Sequence, residues 1–189
     1  MTPLHVLALV GSLREAPVSR LLAEAAERTA PPGIEVAIFE GLDQLPGVPA
    51  EGDGSAEDSE AVARLRESIL VADAVLVFAP AIDDLLPGPL RAAIDWASRP
   101  YGEGALEGKK TALLAPAGGV SAQARALVDL RRIITVAGGV LVENACATIG
   151  RGTDRPEHEH PADDADTVAQ LAEQLRLLGT AVRPGAVRT

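Results

Sequence analysis

The chain has 189 residues, 47% of them hydrophobic, with 17 basic and 27 acidic side chains and a formal net charge of −10. That length and apolar content suit one domain with a substantial core, while the negative charge and an aromatic content of 2% disfavour nucleic acid, which needs cations and stacking surfaces. No apolar run reaches the roughly 18 residues of a membrane span, and the start, Met1 to His5, lacks the basic region of a signal peptide, so the expectation is a soluble, cytoplasmic protein.

Residues 4–10 form a nearly continuous apolar run stopped by Gly11, the signature of a strand covered on both faces. Val18, Leu21, Leu22 and Ala25 then recur at helical spacing, and Pro31-Pro32-Gly33 ends that helix before a strand over 34–39. Residues 40–55 are rich in Gly, Pro and acid and read as loop. Val62, Leu65, Ile69 and Ala72 predict a second helix, followed by a strand over 74–79. A helix from about Pro87 and a strand over 111–115 come next. Ser121 is a candidate N-cap for a helix whose inner face carries Leu127, Leu130 and Ile134. A last strand or strand pair falls within 140–149, where Cys146, the only cysteine, reads as a small buried hydrophobe. After a polar loop over 151–161, Val168, Leu171, Leu175 and Leu178 form a closing helix stopped by Gly179. The expected organisation is therefore one domain over 1–179 and a C-terminal tail over 180–189 without periodicity.

Strands alternating with helices imply an α/β fold, a parallel sheet with helices on both faces. Such sheets bind ligands beyond the carboxyl ends of their strands, where strand order reverses. Three loops become candidates: 11–19, 80–87 and 116–121. In the first, Ser12, Leu13 and Arg14 sit between a strand and a helix, where backbone N–H groups, a hydroxyl and a guanidinium can hold a phosphate, and Ser19 offers a further hydroxyl. An ordinary strand-to-helix turn with an exposed Arg14 is the alternative. Neither G-x-G-x-x-G nor G-x-x-x-x-G-K-[ST] is present, which disfavours a dinucleotide site and a P-loop and leaves a mononucleotide.

The segment from Pro80 to Pro100 resembles the flavin-facing segment of the NADPH-dependent FMN reductase family, which usually reads Pro-Glu-Tyr-Asn-Gly-Ser-Ile-Pro-Gly and continues into a helix ending Asp-Trp-(apolar)-Ser-Arg-Pro. Pro80, Pro87, Gly88 and Asp95-Trp96-Ala97-Ser98-Arg99-Pro100 match, whereas the middle reads Ala81-Ile82-Asp83-Asp84-Leu85. Gly11-Ser12-Leu13-Arg14 matches the start of the family's Gly-Ser-Leu-Arg-x-x-Ser-x-Asn, with Pro17 and Ser19 at its last Ser and Asn. Ala117-Gly118-Gly119 resembles the family's third loop, whose second glycine pair is here Ala122-Gln123.

This resemblance implies a flavodoxin-like fold of five parallel strands in the order 2-1-3-4-5. It further implies FMN held by Ser12, Leu13, Arg14, Ser19, Pro80, Ala81, Ile82, Asp83, Ala117, Gly118 and Gly119. NADPH or NADH would be the hydride donor, a flavin, quinone or azo compound the small-molecule acceptor, and a dimer or tetramer the assembly, with Trp96 and its helix near the subunit contact or packed in the core. No catalytic side chain is implied, since the cofactor carries the chemistry. The alternative is a flavin-free relative, either a non-redox enzyme with Asp83 or Asp84 as general base or a small-molecule binding protein, in which the same two acids otherwise cap the next helix or face water. His158 and His160, beside Glu157 and Glu159, read as solvated loop, so no metal site is expected. His5 reads as structural, and Asp163, Asp164 and Asp166 as residues favouring the start of the last helix.

Overall fold

Alternate side chains of a strand point to opposite faces, and the first strand uses both to fill two separate cores. The computed structural model describes residues 2–11, 17–48, 59–79, 86–117, 121–150 and 160–183. In chain order these form β1 (Leu4–Val10), α1 (Pro17–Arg28), β2 (Ile34–Ile38), α2 (Glu60–Val71), β3 (Ala74–Phe78) and α3 (Gly88–Ala97). Then follow β4 (Lys110–Pro116), α4 (Ser121–Val136), β5 (Val140–Leu141), β6 (Ala147–Ile149) and α5 (Ala165–Val182). Leu7 and Leu9 enter a core closed by α2, α3 and α4 through Leu65, Ile69, Leu90, Ile94, Leu130 and Ile134. Leu4, Val6, Ala8 and Val10 enter the other, closed by α1 and α5 through Leu22, Ala26, Leu171 and Leu175. Burial on both faces explains why β3 reads as an unbroken apolar run and β1 as one broken only at the exposed His5.

All pairings are parallel, in the order β2-β1-β3-β4-β5, the flavodoxin-like arrangement. The fifth place is filled by two short strands in succession: β5 pairs with Lys110 and Thr111, and β6 pairs with Leu114, Ala115 and Pro116. Between them the Leu113 N–H donates to Cys146 Sγ at 3.3 Å, a side chain standing in for the missing carbonyl. Cys146 is therefore only half-buried and is a hydrogen-bonding group, and burial pushes its thiol pKa up.

Other expectations shift. Helix α1 is rotated from the expected face: Val18 is exposed, and the buried stripe is Ser19, Leu22, Ala23, Ala25 and Ala26. Its small residues let the helix lie close to the sheet. Within the expected loop, residues 42–44 make a 3-10 turn that buries Leu42. Gly179 does not stop the last helix, which runs on to Val182 with Gly179 buried inside it, because a glycine ends a helix only where the chain turns into a positive φ. Arg183 then donates to the Thr2 and Pro3 carbonyls and to Asp73, tying the helix end to the start of β1. Trp96 is wholly enclosed in this chain's own core. Among the described residues no helix is long and apolar enough to cross a membrane.

Candidate active site at the carboxyl edge of the sheet

The strand register brings three loop exits side by side. Val10 lies opposite Phe78 and Phe78 opposite Leu114, so β1 and β3 end level while β4 runs two residues farther, to Pro116. The Gly11 N–H donates to the Phe78 carbonyl at 3.2 Å, the Ala79 N–H to Leu114 at 2.8 Å, and the Ala117 N–H to Ile149 at 2.8 Å. Each bond extends the ladder by one residue past its strand. Between β1 and β3 the chain reverses its direction across the sheet: α1 leaves toward β2 on one face, and α2 returns over the other. A ligand crevice opens at such a point.

At the three exits stand Gly11, Ala79 and Ala117, residues with at most a methyl group. The described rim thus presents mainly backbone and carries no charge, which suits the close approach of a flat ring and an anionic tail. FMN fits this rim. Ser12, Leu13, Arg14, Pro80, Ala81, Ile82, Asp83, Asp84, Gly118 and Gly119 lie outside the described residues, as do the side chains of Ser121, Ala122 and Gln123.

Ser19 is described, and its setting is unexpected. It is 0% exposed, and its hydroxyl donates to the Ala79 carbonyl at 3.1 Å. One turn of helix and the exit of β3 are joined by that bond across 60 positions of sequence. The nearby Arg20 is engaged elsewhere, its Nε donating to Glu24 at 2.8 Å and its Nη2 to Glu40 at 2.6 Å. Those carboxylates raise the Arg20 pKa, and the Arg20 hydrogen bond is the main cause that holds Glu24 below the usual carboxylate range. His160 closes the same cluster: its Nδ1 accepts the Ala162 N–H at 3.1 Å, and its Nε2 lies 3.6 Å from Glu24. The His160 ring is thus occupied in capping a turn. At the other end of that turn, Asp164 accepts the Thr167 N–H at 3.2 Å and caps α5, as its sequence position suggests.

A groove of about 570 Å³ runs between α3 and α4, starting at Leu86 and edged by Arg91, Asp95, Asp129 and Arg132. Helical periodicity marks the inner faces of the two helices but says nothing of their spacing, so the groove is invisible in the sequence.

The profile of the NADPH-dependent FMN reductase family matches residues 4–154, from the first strand to beyond the third loop. The chain belongs to that family. Among the relatives of this FMN reductase family member, a quinone reductase of Pseudomonas putida is 39% identical over 109 residues, which cover 58% of this chain and 58% of the relative. The chain thus spans less than two thirds of that relative's length. A 2-hydroxy-1,4-benzoquinone reductase of a Burkholderia species is 33% identical over 131 residues, 69% of each chain. A quinone reductase of Escherichia coli (strain K12) is 25% identical over 185 residues, 92% of this chain and 98% of the relative. Of the solved structures, the flavoenzyme FerB of Paracoccus denitrificans, an NAD(P)H:(acceptor) oxidoreductase, superposes with a TM-score of 0.75 at 25% identity, covering 95% of this chain and 97% of that one. The flavodoxin-like WrbA-like protein of Agrobacterium tumefaciens, at 14% identity and a TM-score of 0.59, shares the fold.

Proposed function

We propose that this protein binds FMN at the carboxyl edge of its sheet and serves as an NADPH- or NADH-dependent reductase of a small acceptor, a quinone first among them. The single observation that carries the reading is that β1, β3 and β4 run in parallel register to one edge, Gly11 level with Ala79 and Ala117 two residues farther along β4, so that the three segments whose sequences resemble the family's flavin loops all begin at that edge. Support for a quinone comes from relatives that are themselves named quinone reductases. Ser12, Leu13 and Arg14 hold the phosphate, and main-chain groups at 80–83 and 117–119 face the ring. Bound FMN supplies two-electron transfer, so that quinone, NADPH and a proton from water become hydroquinone and NADP+, and no side-chain acid or base is required. What the chain contributes is position, exclusion of water and electrostatic field. The working form is a cytoplasmic homo-oligomer. For the flavin-free alternative, with Asp83 or Asp84 as a general base, nothing in the described residues speaks specifically.

Purified protein titrated with FMN tests the reading. A perturbed flavin spectrum with one-to-one uptake, and NADPH oxidation that depends on benzoquinone, are the expected results. Replacing Arg14 with Ala removes a charge-assisted bond to phosphate and weakens FMN about 10- to 100-fold. Arg20→Ala, which breaks only the ties to Glu24 and Glu40, leaves the affinity within about twofold. No uptake at high FMN, or equal losses in the two variants, overturns the assignment.

A further inference from the structure

We propose that Ser19 is a positioning residue that sets the spacing between the phosphate side and the ring side of the flavin site, rather than a ligand of the phosphate. The inference rests on the FMN reading above and assigns a division of labour within it.

Three observations carry it. Ser19 begins the stripe Ser19, Leu22, Ala23, Ala26 by which α1 packs on the sheet, and it is the polar member of an otherwise apolar set. An alanine would satisfy the packing equally well, so the hydroxyl is there for its hydrogen bond. That bond, 3.1 Å to the Ala79 carbonyl, is completely shielded from water, where a hydrogen bond is directional and costly to lose. Finally, the carbonyl belongs to the peptide joining Ala79 to Pro80, and proline has no N–H. The carbonyl is therefore the polar handle by which this peptide can be oriented at the exit of β3.

The Ala79 N–H is already fixed to Leu114 at 2.8 Å, so the exit of β3 is held from β4 on one side and from α1 on the other. Residues 12–16 lead into the first turn of α1, and Ser19 lies in that turn. Its hydroxyl therefore couples the end of the phosphate loop to the start of the ring loop. With no exposed surface, Ser19 cannot reach a phosphate oxygen while this bond stands.

The two roles separate by ligand. Riboflavin shares the ring of FMN and lacks the phosphate. Loss of a phosphate ligand weakens FMN alone, whereas loss of the spacer weakens both. The experiment measures the affinity of FMN and of riboflavin, by flavin fluorescence, for the wild type, Ser19→Ala and Ala26→Gly, together with the thermal midpoint of each flavin-free protein. Ala26→Gly thins the same buried stripe two turns along and leaves the Ser19 bond in place. Ser19→Ala is expected to weaken FMN and riboflavin alike, by about tenfold, the equivalent of one hydrogen bond. Ala26→Gly is expected to lower the thermal midpoint comparably while changing both affinities by less than about twofold. A loss confined to FMN makes Ser19 a phosphate ligand and refutes the inference. So do unchanged affinities, and so do equal losses in the two variants, which reduce Ser19 to a stability residue. Wild-type protein that takes up neither flavin refutes the FMN reading itself and the inference with it.

Discussion

Trp96 offers the sharpest test of how this framework is held. Its ring is fully enclosed, its indole N–H donates to the Pro46 carbonyl at 2.8 Å, and the guanidinium carbons of Arg66 and Arg99 lie 5.9 and 5.6 Å from the ring centroid. The side chain thus joins α3 to the loop after β2 and receives a cation on its ring from α2. Trp96→Phe keeps an aromatic ring but removes the donor. The half-buried Pro46 carbonyl loses its partner, at about 1 kcal/mol. The weaker cation–π contacts and the space left by the smaller ring add about 1–2 kcal/mol. The sum, about 2–3 kcal/mol, corresponds to a fall in thermal midpoint of about 5–10 °C for a chain of this length. Trp96→Ala, which empties the site, should cost about 3–5 kcal/mol. Thermal unfolding followed by far-ultraviolet circular dichroism reads both. Because the loop is tied through the indole, proteolysis within residues 45–48 should also quicken in Trp96→Phe. A midpoint within about 2 °C of wild type, with unchanged proteolysis, would refute the anchoring role.

Three further outcomes follow from local geometry and charge. A β-carbon at Gly104 would lie 2.5 Å from the carbonyl oxygen of Ala97 and from the carbonyl carbon of Ser98, backbone atoms that cannot swing aside, so Gly104→Ala should destabilise by about 1–3 kcal/mol in urea unfolding. Gly47→Ala, with nothing within 4 Å, should be neutral; equal midpoints for the two variants would sink the argument. Glu24 has a depressed folded pKa, so its contribution to stability is present above the unfolded carboxylate value and fades as pH falls through the folded one. The stability gap between wild type and Glu24→Gln should therefore narrow between about pH 5 and the acid limit of the fold, and a gap that widens on acidification contradicts the pairing. At the ring loop, Asp83 stands where the family usually carries Asn, and a carboxylate disfavours the anionic reduced flavin. Asp83→Asn should raise the midpoint potential of bound FMN in a spectroelectrochemical titration, and a fall would exclude Asp83 from the ring's surroundings.

The fold was legible because both faces of its sheet are covered, so that β3 shows as an unbroken apolar run and β1 and β4 as nearly continuous ones, while Gly and Pro punctuate the turns. Helix faces were legible where bulky residues carry them, as with Val62, Leu65 and Ile69 on α2. On α1 the buried positions are Ser and Ala, and a pattern search drawn to Val18 and Leu21 settles one residue off. Gly179 misleads for a related reason: its sequence cannot say whether the backbone there stays helical, and here the helix runs on to Val182 with Gly179 buried inside it. The Ser19 to Ala79 bond and the Leu113 to Cys146 bond were hidden entirely, since each joins residues 60 or 33 positions apart through a contact that only the assembled sheet creates.

Those hidden contacts bear on why the family's framework persists here while the sequence at 81–85 has changed. The described rim of the crevice is defined by main-chain bonds at Gly11, Ala79 and Ala117 and by the buried hydroxyl of Ser19, none of which involves residues 81–85. Under the proposed FMN reading, substitution within that segment would alter the charge and shape met by the ring without breaking the bonds that hold the strand ends. On that reading potential and acceptor choice would drift while the place of binding stays, as long as Ala79 is held through its N–H by Leu114 and through its carbonyl by Ser19.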